Sequence, residues 1–203
     1  MRRVGAPTAS RDGRYAVFPV MEPSYDEQAQ VADLWLVPTD GSTPPRRLTN
    51  GGGRESDVTW SPDGHRIAFV AQRADDDVEQ LYLLDLQGGD ALRLTALAGG
   101  VREPQFSPDG RRIAFTSSAW PDARDEQGNR RAALDHKARR SRARIYEGFP
   151  IRNWDRWLDQ RQSHLYVLEL PVPGRAAAEP RDLLAGTRLV QQAGYAGRER
   201  DGG

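Results

Sequence analysis

The sequence predicts an all-β fold, a partial β-propeller of about three four-stranded antiparallel blades built from WD40-like (PD40) repeats. The first observation is a Ser-Pro-Asp-Gly motif at 61–64 that returns 46 residues later at 107–110, with a weaker Ser-Arg-Asp-Gly copy at 10–13. The second is that apolar strands and a closing motif repeat in register with this turn. An antiparallel β-sandwich, the alternative fold, would also alternate apolar and polar residues but would not repeat these features together.

The Ser-Pro-Asp-Gly motif predicts a tight hairpin between the first and second strands of each blade. Proline presets φ for the turn, aspartate bonds back to the local backbone, and glycine tolerates positive φ. After one copy, the run 66–70 is rich in β-branched and aromatic residues, as a strand requires. The run 81–86 is almost continuously apolar, which is expected of a strand buried on both faces. The turn at 87–90 then leads to a fourth strand through Leu92 and Leu94.

Equivalent positions of the three repeats carry similar residues. The second strands share Ala16 and Phe18, Ile67 and Phe69, and Ile113 and Phe115. The third strands share Leu34-Trp35-Leu36, Leu81-Tyr82-Leu83 and Leu165-Tyr166-Val167. The closing motifs are Arg47-Leu48-Thr49, Arg93-Leu94-Thr95 and a degraded Arg181-Asp182-Leu183.

These repeats define the expected domain organisation. An incomplete propeller at 1–184 contains blade 1 at about 4–50, blade 2 at about 55–96 and blade 3 at about 101–184. Residues 185–203 are polar and glycine-rich and are expected to form a disordered tail.

A charged, partly helical insertion is expected in the third blade, at about 119–150. Phe115 and Leu165 are 50 positions apart, whereas Phe69 and Leu81 are 12 apart, so about 38 extra residues separate the second and third strands. The segment 130–144 lacks glycine and proline, which predicts one or two helical turns. Its basic residues either bind phosphates or remain solvated, and the neutral chain with its nearby acids favours the second interpretation. They are Arg130, Arg131, Lys137, Arg139, Arg140, Arg142 and Arg144.

Composition excludes several classes of function. The 29 basic residues balance the 29 acidic ones, so nothing draws the chain as a whole to nucleic acid or to an anionic membrane. The absence of cysteine excludes disulfides and thiolate sites. No run of apolar residues is long enough for a membrane span, and no secretory signal follows Met1. A cytoplasmic location is therefore expected, or a periplasmic or secreted one if the N-terminus is truncated.

No metal or cofactor is expected from the residue pattern. His65, His136 and His164 share no ligand spacing. The triplet Asp75-Asp76-Asp77 does not continue into a calcium-binding loop and is interpreted as a solvated hairpin loop. The run Gly51-Gly52-Gly53 lacks the lysine of a phosphate loop and is interpreted as a linker between blades.

The segment 144–168, RIYEGFPIRNWDRWLDQRQSHLYVL, carries a family resemblance. It resembles the third propeller blade of the prolyl oligopeptidase (S9) family of serine peptidases, in the acylaminoacyl-peptidase and dipeptidyl-peptidase branch. The hairpins and the Leu-Trp-Leu strand also look like the propeller of TolB. The peptidase resemblance covers about 4–184 and implies a parent with a complete propeller followed by an α/β-hydrolase domain bearing a Ser-Asp-His triad. In that family, the propeller caps the active site and filters substrates by size.

The resemblance also suggests candidate substrate-gating residues in the third blade. Their aromatic members either line a substrate entrance or cover the apolar surface of the neighbouring blade. The candidates are Tyr146, Glu147, Arg152, Trp154, Asp155, Arg156 and Trp157. The sequence has no Gly-x-Ser-x-Gly nucleophile motif, so no catalytic residue is assigned and this chain alone is expected not to be an enzyme.

The expected partners follow from the same comparison. They are the missing C-terminal α/β-hydrolase domain or further blades, with a peptide substrate only in the complete protein, and neither nucleic acid nor membrane. Because propellers close with about four to eight blades, three blades predict a fragment, a truncated product or one piece of an assembly, prone to aggregate or oligomerise alone. The alternative function is a stand-alone TolB-like scaffold for protein–protein interaction.

Overall fold

Three antiparallel sheets, one per repeat, follow one another along the chain and confirm the predicted propeller blades. The computed structural model describes residues 2–22, 31–120, 123–138, 161–171, 178–187 and 189–190, and the backbone of 152–153 and 156–157. Blade 1 contains β1 (Arg3–Val4), β2 (Thr8–Ala9), β3 (Tyr15–Glu22), β4 (Val31–Pro38) and β5 (Arg46–Arg47). Blade 2 contains β6 (Glu55–Trp60), β7 (Arg66–Ala71), β8 (Gln80–Asp85) and β9 (Leu92–Arg93).

Blade 3 contains the insertion between its second and third strands, as the sequence predicts. Its strands are β10 (Arg102–Phe106), β11 (Arg112–Ala119), β14 (Gln162–Glu169) and β15 (Arg181–Asp182). Between β11 and β14 lie α1 (Glu126–Ala138) and a small hairpin of β12 (Arg152–Asn153) and β13 (Arg156–Trp157). The strands of blades 2 and 3 pair in the order of the chain, while in blade 1 both β1 and β2 pair with β3 as two pieces of one first strand.

The apolar core lies between blades rather than within one sheet. Because successive side chains of a strand point to opposite faces, Ile67 and Phe69 of β7 pack toward blade 1, whereas Ala68 and Val70 pack toward blade 3. The third strand β8 alternates in the same way, which confirms the prediction that it is buried on both faces. Blade 2 thereby holds the three sheets together.

The Ser-Pro-Asp-Gly hairpins form the same hydrogen-bond network in every blade. In blade 2 the Ser61 hydroxyl donates to Asp63 Oδ1 (2.5 Å) and accepts from Arg66 N (2.9 Å), while Asp63 Oδ1 also accepts from His65 N (3.0 Å). The bond from Ser61 is the main reason that the pKa of the Asp63 carboxyl lies below its ordinary value. The predicted back-bonding of aspartate to the turn is confirmed, also for the weaker copy at 10–13.

We expect Ser61→Ala to lower the free energy of unfolding by about 2 kcal/mol, because the Arg66 amide would lose its partner, the hydroxyl of the fully buried Ser61. The matched control is Ser107→Ala, which removes the same bonds where they are exposed to water, and should cost less than about 1 kcal/mol. Urea denaturation of both variants measures the difference, and equal losses would contradict the role of burial.

The closing motif of blade 3 lies one residue later than the sequence pattern indicates. Leu48 and Leu94 donate their amides to Leu34 and Leu81, and the equivalent bond to Leu165 comes from Leu183. The structural counterpart of Arg-Leu-Thr is therefore Asp182-Leu183-Leu184, and the proposed alignment on Arg181 is wrong. The backbone pairing of the fourth strand with the third sets this register, not the identity of the arginine.

The helix of the insertion is longer than predicted. It runs from Glu126 to Ala138, 13 residues, and begins before the glycine-free segment. Asp125 caps its first turn, since its carboxylate accepts from Gly128 N at 2.7 Å and its carbonyl accepts from Asn129 N. The cap stabilises a first turn that contains Gly128, so the helix begins before the glycine-free segment on which the prediction was based.

Two linker glycines are required by close backbone approach. A Cβ at Gly53 would lie 2.0 Å from the carbonyl oxygen of Gln72, and one at Gly99 would lie 1.8 Å from that of Ser118. Both glycines come just before the first strand of a blade and contact the end of the second strand of that same blade. This close approach explains why the last residue of the 51–53 linker is a glycine.

Candidate functional site

The predicted gating residues lie mostly outside the described part of the chain. Tyr146, Glu147, Trp154 and Asp155 are not among the described residues. The remaining three are placed by their backbone: Arg152 pairs with Trp157, and Asn153 pairs with Arg156, in the β12–β13 hairpin. The backbones of 152–153 and 156–157 therefore form two short paired strands within the insertion of blade 3.

An open groove lies where the first strands of the three blades end. β6 runs between β2 and β10, and the groove between these strands has a volume of about 420 Å³. Its lining is mixed in polarity. The lining residues are Thr8, Ala9, Arg11, Thr59, Trp60, Ser61, Pro62, Gln105, Phe106 and Pro108. Most of these residues occupy equivalent positions in the three repeats. That equivalence is visible in the sequence, but no single motif contains it.

Hydrogen bonds across the blades hold the walls of this groove. The Trp60 indole donates to the carbonyl of Thr8 at 2.9 Å, and the Thr8 hydroxyl donates to the carbonyl of Val58 at 3.3 Å. Asp57 and Glu103 have positive φ values of 48° and 52°, at equivalent bulges of β6 and β10. The Asp57 carboxylate accepts from the Glu103 amide at 3.1 Å, which ties the first strands of blades 2 and 3 together.

The groove and the insertion lie at opposite ends of the strands. The groove adjoins the Ser-Pro-Asp-Gly hairpins, which join the end of each first strand to the start of the second. The insertion leaves blade 3 at the end of β11 and returns at the start of β14, directly opposite in register. A ligand in the groove would therefore not touch the residues at which the insertion joins the blade.

Helix α1 is anchored to blade 3 by side chains that bond to backbone. Asn129, only 2% exposed, donates to the Ser118 carbonyl at 3.2 Å and accepts from Trp120 N at 3.0 Å. Glu126 accepts from Ala98 N at 2.7 Å, and Arg130 donates to the Ala96 carbonyl. The start of the insertion is thereby held against blade 3 and the linker that precedes it.

The basic segment is only partly described. Arg130 pairs with Glu126 at 3.1 Å, Lys137 lies 3.6 Å from Asp77, and Arg131 is exposed. The other four predicted cations, Arg139, Arg140, Arg142 and Arg144, lie outside the described residues. Two of the described cations thus interact with carboxylates of this chain, as expected of a solvated segment beside the blade.

A buried ionic contact joins blades 1 and 2 at the other end of the strands. The Thr49 hydroxyl of blade 1 donates to the Glu55 carboxylate of blade 2, and the Arg73 guanidinium lies 3.5 Å from the other Glu55 oxygen. Burial raises the pKa of the Glu55 carboxyl above its ordinary value of 4.5, and the Thr49 hydroxyl and the Arg73 charge act against this shift. The folded state therefore binds the Glu55 proton more tightly than the unfolded state does.

We expect Glu55→Gln to change how stability depends on pH. As pH rises from about 4.5 through the raised pKa, wild-type protein must ionise a buried carboxyl and should lose free energy of unfolding relative to the variant. Each unit of raised pKa corresponds to about 1.4 kcal/mol. Urea melts at a series of pH values between 4 and 8 measure the difference, and a pH-independent offset between the two proteins would contradict it.

One residue of the aspartate triplet has a role that the sequence interpretation missed. Asp75 and Asp77 are exposed as predicted, but the Asp76 side chain is fully buried. Its carboxylate lies 2.6 Å from Arg93 and accepts from the Tyr82 hydroxyl at 2.6 Å. The solvated-loop interpretation is therefore wrong for Asp76, which joins the third and fourth strands of blade 2.

A serine, a histidine and an aspartate meet in blade 3 without forming a catalytic triad. Ser117 and His164 are directly opposite on β11 and β14, and His164 Nδ1 lies 2.6 Å from Asp182 Oδ2. Within the described part of the chain, neither Ser117 Oγ nor His164 Nε2 has a hydrogen-bond partner. Both side chains are only about 4% exposed, so a substrate has no access to the hydroxyl. The cluster closes blade 3, with Asp182 at the position that Arg47 and Arg93 occupy in the other blades.

The described residues contain neither a candidate metal site nor a candidate membrane-spanning helix. No three histidine, aspartate or glutamate side chains among them come together as ligands would. No helix in this part of the chain is long and apolar enough to cross a membrane.

Sequential four-stranded blades whose first strands surround an open groove define the chain as a segment of a β-propeller. Comparisons with known proteins show what the chain is similar to. The chain is 35% identical to the uncharacterized peptidase YuxL of Bacillus subtilis over 100 residues, 48% of this chain and 15% of that protein. It is 26% identical to dipeptidyl-peptidase 5 of Porphyromonas endodontalis over 186 residues, 92% of this chain and 25% of that protein. These homologues are S9 peptidases, which confirms the resemblance found in the sequence.

Solved structures agree on the fold. The acylaminoacyl peptidase of Pyrococcus horikoshii matches with a TM-score of 0.60 and 12% identity, over 90% of this chain and 25% of that one. The β-propeller domain of the trilobed protease of Pyrococcus furiosus matches with a TM-score of 0.52 and 12% identity, over 89% of this chain and 43% of that one. A TolB structure from Agrobacterium tumefaciens reaches a TM-score of only 0.45, which supports no argument. No protein-family model matches the chain.

Proposed function

We propose that this chain is the substrate-positioning part of a serine peptidase: its blades admit and orient a peptide for a hydrolase domain. The alignment of 92% of the chain with a dipeptidyl-peptidase carries this proposal. The chain spans only a quarter or less of its two curated relatives, so the catalytic step is assigned to a domain beyond the aligned part.

The groove at the ends of the first strands is suited to a peptide. Its volume of about 420 Å³ falls in the range of about 300–1,000 Å³ typical of ligand pockets. Thr59 and Gln105 offer hydroxyl and amide groups for the polar backbone of a peptide, and Trp60 and Phe106 offer apolar surface for its side chains. Mixed polarity of this kind tolerates many peptide sequences, which is what a size-selective entrance requires.

A chimera tests the proposal. In dipeptidyl-peptidase 5, the segment that aligns with this chain is replaced by the corresponding 186 residues, and hydrolysis of a short chromogenic dipeptide and of a longer peptide is compared. Gln105→Arg, which places a large cation in the groove, should lower kcat/KM for the longer peptide more than for the dipeptide. The control is Gln87→Arg in the exposed β8–β9 turn, which should change neither.

The isolated 203-residue chain should not hydrolyse either substrate. Turnover by purified chain would contradict the assignment of the chemistry to another domain. Equal effects of Gln105→Arg and Gln87→Arg in the chimera would contradict the assignment of the peptide to the groove.

A further inference from the structure

The linker between blades 1 and 2 begins with Asn50-Gly51, the only Asn-Gly pair in the sequence. In such a pair the backbone nitrogen of the glycine can attack the side-chain amide of the asparagine and close a succinimide ring. Glycine favours this reaction because it has no Cβ to crowd the nitrogen and its backbone is the least restricted. The Asn50 side chain is exposed, so water reaches the reacting groups.

A guanidinium group holds the oxygen of this amide. Arg47 Nη2 donates to Asn50 Oδ1 at 2.8 Å, and the same nitrogen donates to Asp33 Oδ2 at 2.5 Å. Arg47 Nε donates to the Thr49 carbonyl at 2.9 Å, so the position of the guanidinium is fixed. A positive donor on a carbonyl oxygen stabilises the negative charge that attack by a nucleophile places on that oxygen. Arg47 therefore makes the Asn50 amide carbon more electrophilic.

The attacking nitrogen is also free. The Gly51 amide donates to no acceptor among the described residues. The same part of the chain contains four Asp-Gly pairs, which could form the same ring, but each of them is restrained. In every one the glycine amide donates to a carbonyl three residues back, and the aspartate carboxylate accepts from the amide two residues further on. These pairs are Asp12-Gly13, Asp40-Gly41, Asp63-Gly64 and Asp109-Gly110.

We propose that Asn50 is a site of spontaneous covalent modification, at which the side-chain amide is converted to a carboxylate. The Gly51 nitrogen loses its proton to hydroxide and bonds to Asn50 Cγ, while Arg47 holds the charge that develops on Oδ1. The bond between Cγ and Nδ2 then breaks, and this nitrogen leaves as ammonia. Water adds to either carbonyl of the resulting succinimide and cleaves one of its C–N bonds. The products are aspartate and isoaspartate at position 50.

The modified residue lies beside the contact between blades 1 and 2. The neighbouring Thr49 hydroxyl accepts from Leu34 N at 2.9 Å and donates to the Glu55 carboxylate of blade 2. Aspartate at position 50 adds only a negative charge near Arg47. Isoaspartate also lengthens the main chain by a methylene group, directly between Thr49 and the strand that carries Glu55. Isoaspartate should therefore loosen this contact more than aspartate does.

Peptide mapping by mass spectrometry tests the proposal on the folded 203-residue chain, incubated in mildly alkaline buffer. The reference is the same chain unfolded in guanidinium chloride. Position 50 should convert in the folded chain at least as fast as in the unfolded chain, because the fold holds the amide oxygen and leaves the Gly51 nitrogen free. The four Asp-Gly pairs should isomerise only in the unfolded chain. An Asn50 that converts only in the unfolded chain would overturn the proposal.

Replacement of Arg47 tests the role of the guanidinium. Arg47→Met keeps an apolar stem without a donor and should slow conversion in the folded chain by roughly tenfold. This is less than the about hundredfold or more that an oxyanion donor contributes in an enzyme, because Asn50 is exposed to water. Arg47→Lys keeps the cation and should restore part of the rate. Both variants should match wild type in guanidinium chloride, and equal rates of folded Arg47→Met and wild type would overturn the role of Arg47.

Controls separate the modification from loss of fold. Asn50→Gln keeps an amide at the site but would have to close a larger ring, so position 50 of this variant should stay unmodified. Asn129 is 2% exposed and should keep its amide in the folded chain. Far-UV circular dichroism should be unchanged in all variants. If Arg47→Met does not fold, the comparison of folded and unfolded wild type still decides, because protection of Asn50 by the fold would overturn the proposal.

Discussion

Replacement of Asp76 by alanine is expected to lower the free energy of unfolding by about 3 kcal/mol. Removing one partner of a buried ion pair leaves an uncompensated charge, which costs roughly 3–5 kcal/mol. The lower value applies here because Arg93 is 39% exposed and regains part of its hydration. The Tyr82 hydroxyl loses its acceptor at the same time, so the third and the fourth strand of blade 2 each lose a contact with Asp76.

Asp75→Ala is the matched control for this prediction. The two residues are adjacent in the same loop, but Asp75 is exposed, and its removal should change stability by less than about 0.5 kcal/mol. A second measurement reports on the contact itself. Burial, and then the bond to Asp76, raise the pKa of Tyr82 to about 12, so Asp76→Ala should bring the titration of this phenol closer to 10. Similar stability losses for Asp75→Ala and Asp76→Ala would rule out the buried ion pair as the cause.

The features that the sequence predicts well depend on neighbours along the chain. The Ser-Pro-Asp-Gly turns are determined by four residues and their own backbone, so each could be predicted in detail. The alternation of β7 and β8 likewise follows from side-chain period within one strand. Both predictions hold because no distant residue has to be known.

The features that the sequence did not predict depend on distant contacts. Asp76 has the same local surroundings as Asp75 and Asp77, and only the position of Arg93 in another strand makes it a buried ion-pair partner. The closing motif of blade 3 was misaligned because Arg181 matches the motif by identity, whereas pairing with β14 places Asp182 there.

The candidate site divides in the same way. The groove brings together Thr8, Thr59 and Gln105 from three repeats, and no local motif contains more than one of them. Comparing equivalent positions of the repeats would have found them, because the fold places those positions side by side. The gating residues of the insertion have no such equivalents in blades 1 and 2, and they stay a prediction.

Phe115→Ala is expected to have the largest effect of any single substitution, a loss of about 4 kcal/mol in the free energy of unfolding. Phe115 is 1% exposed, stacks on Tyr166 and fills the contact between blades 2 and 3, and truncation of a buried phenylalanine costs roughly 3–5 kcal/mol. Tyr166 would also lose its stacking partner, worth about 0.5–1.5 kcal/mol within that total. Denaturation followed by intrinsic fluorescence and by circular dichroism measures the loss.

Phe18→Ala is the informative comparison, because Phe18 occupies the equivalent position in blade 1. This half-buried side chain should contribute less than half as much to the free energy of unfolding as Phe115. Equal losses for Phe18→Ala and Phe115→Ala would contradict the dependence of the loss on burial.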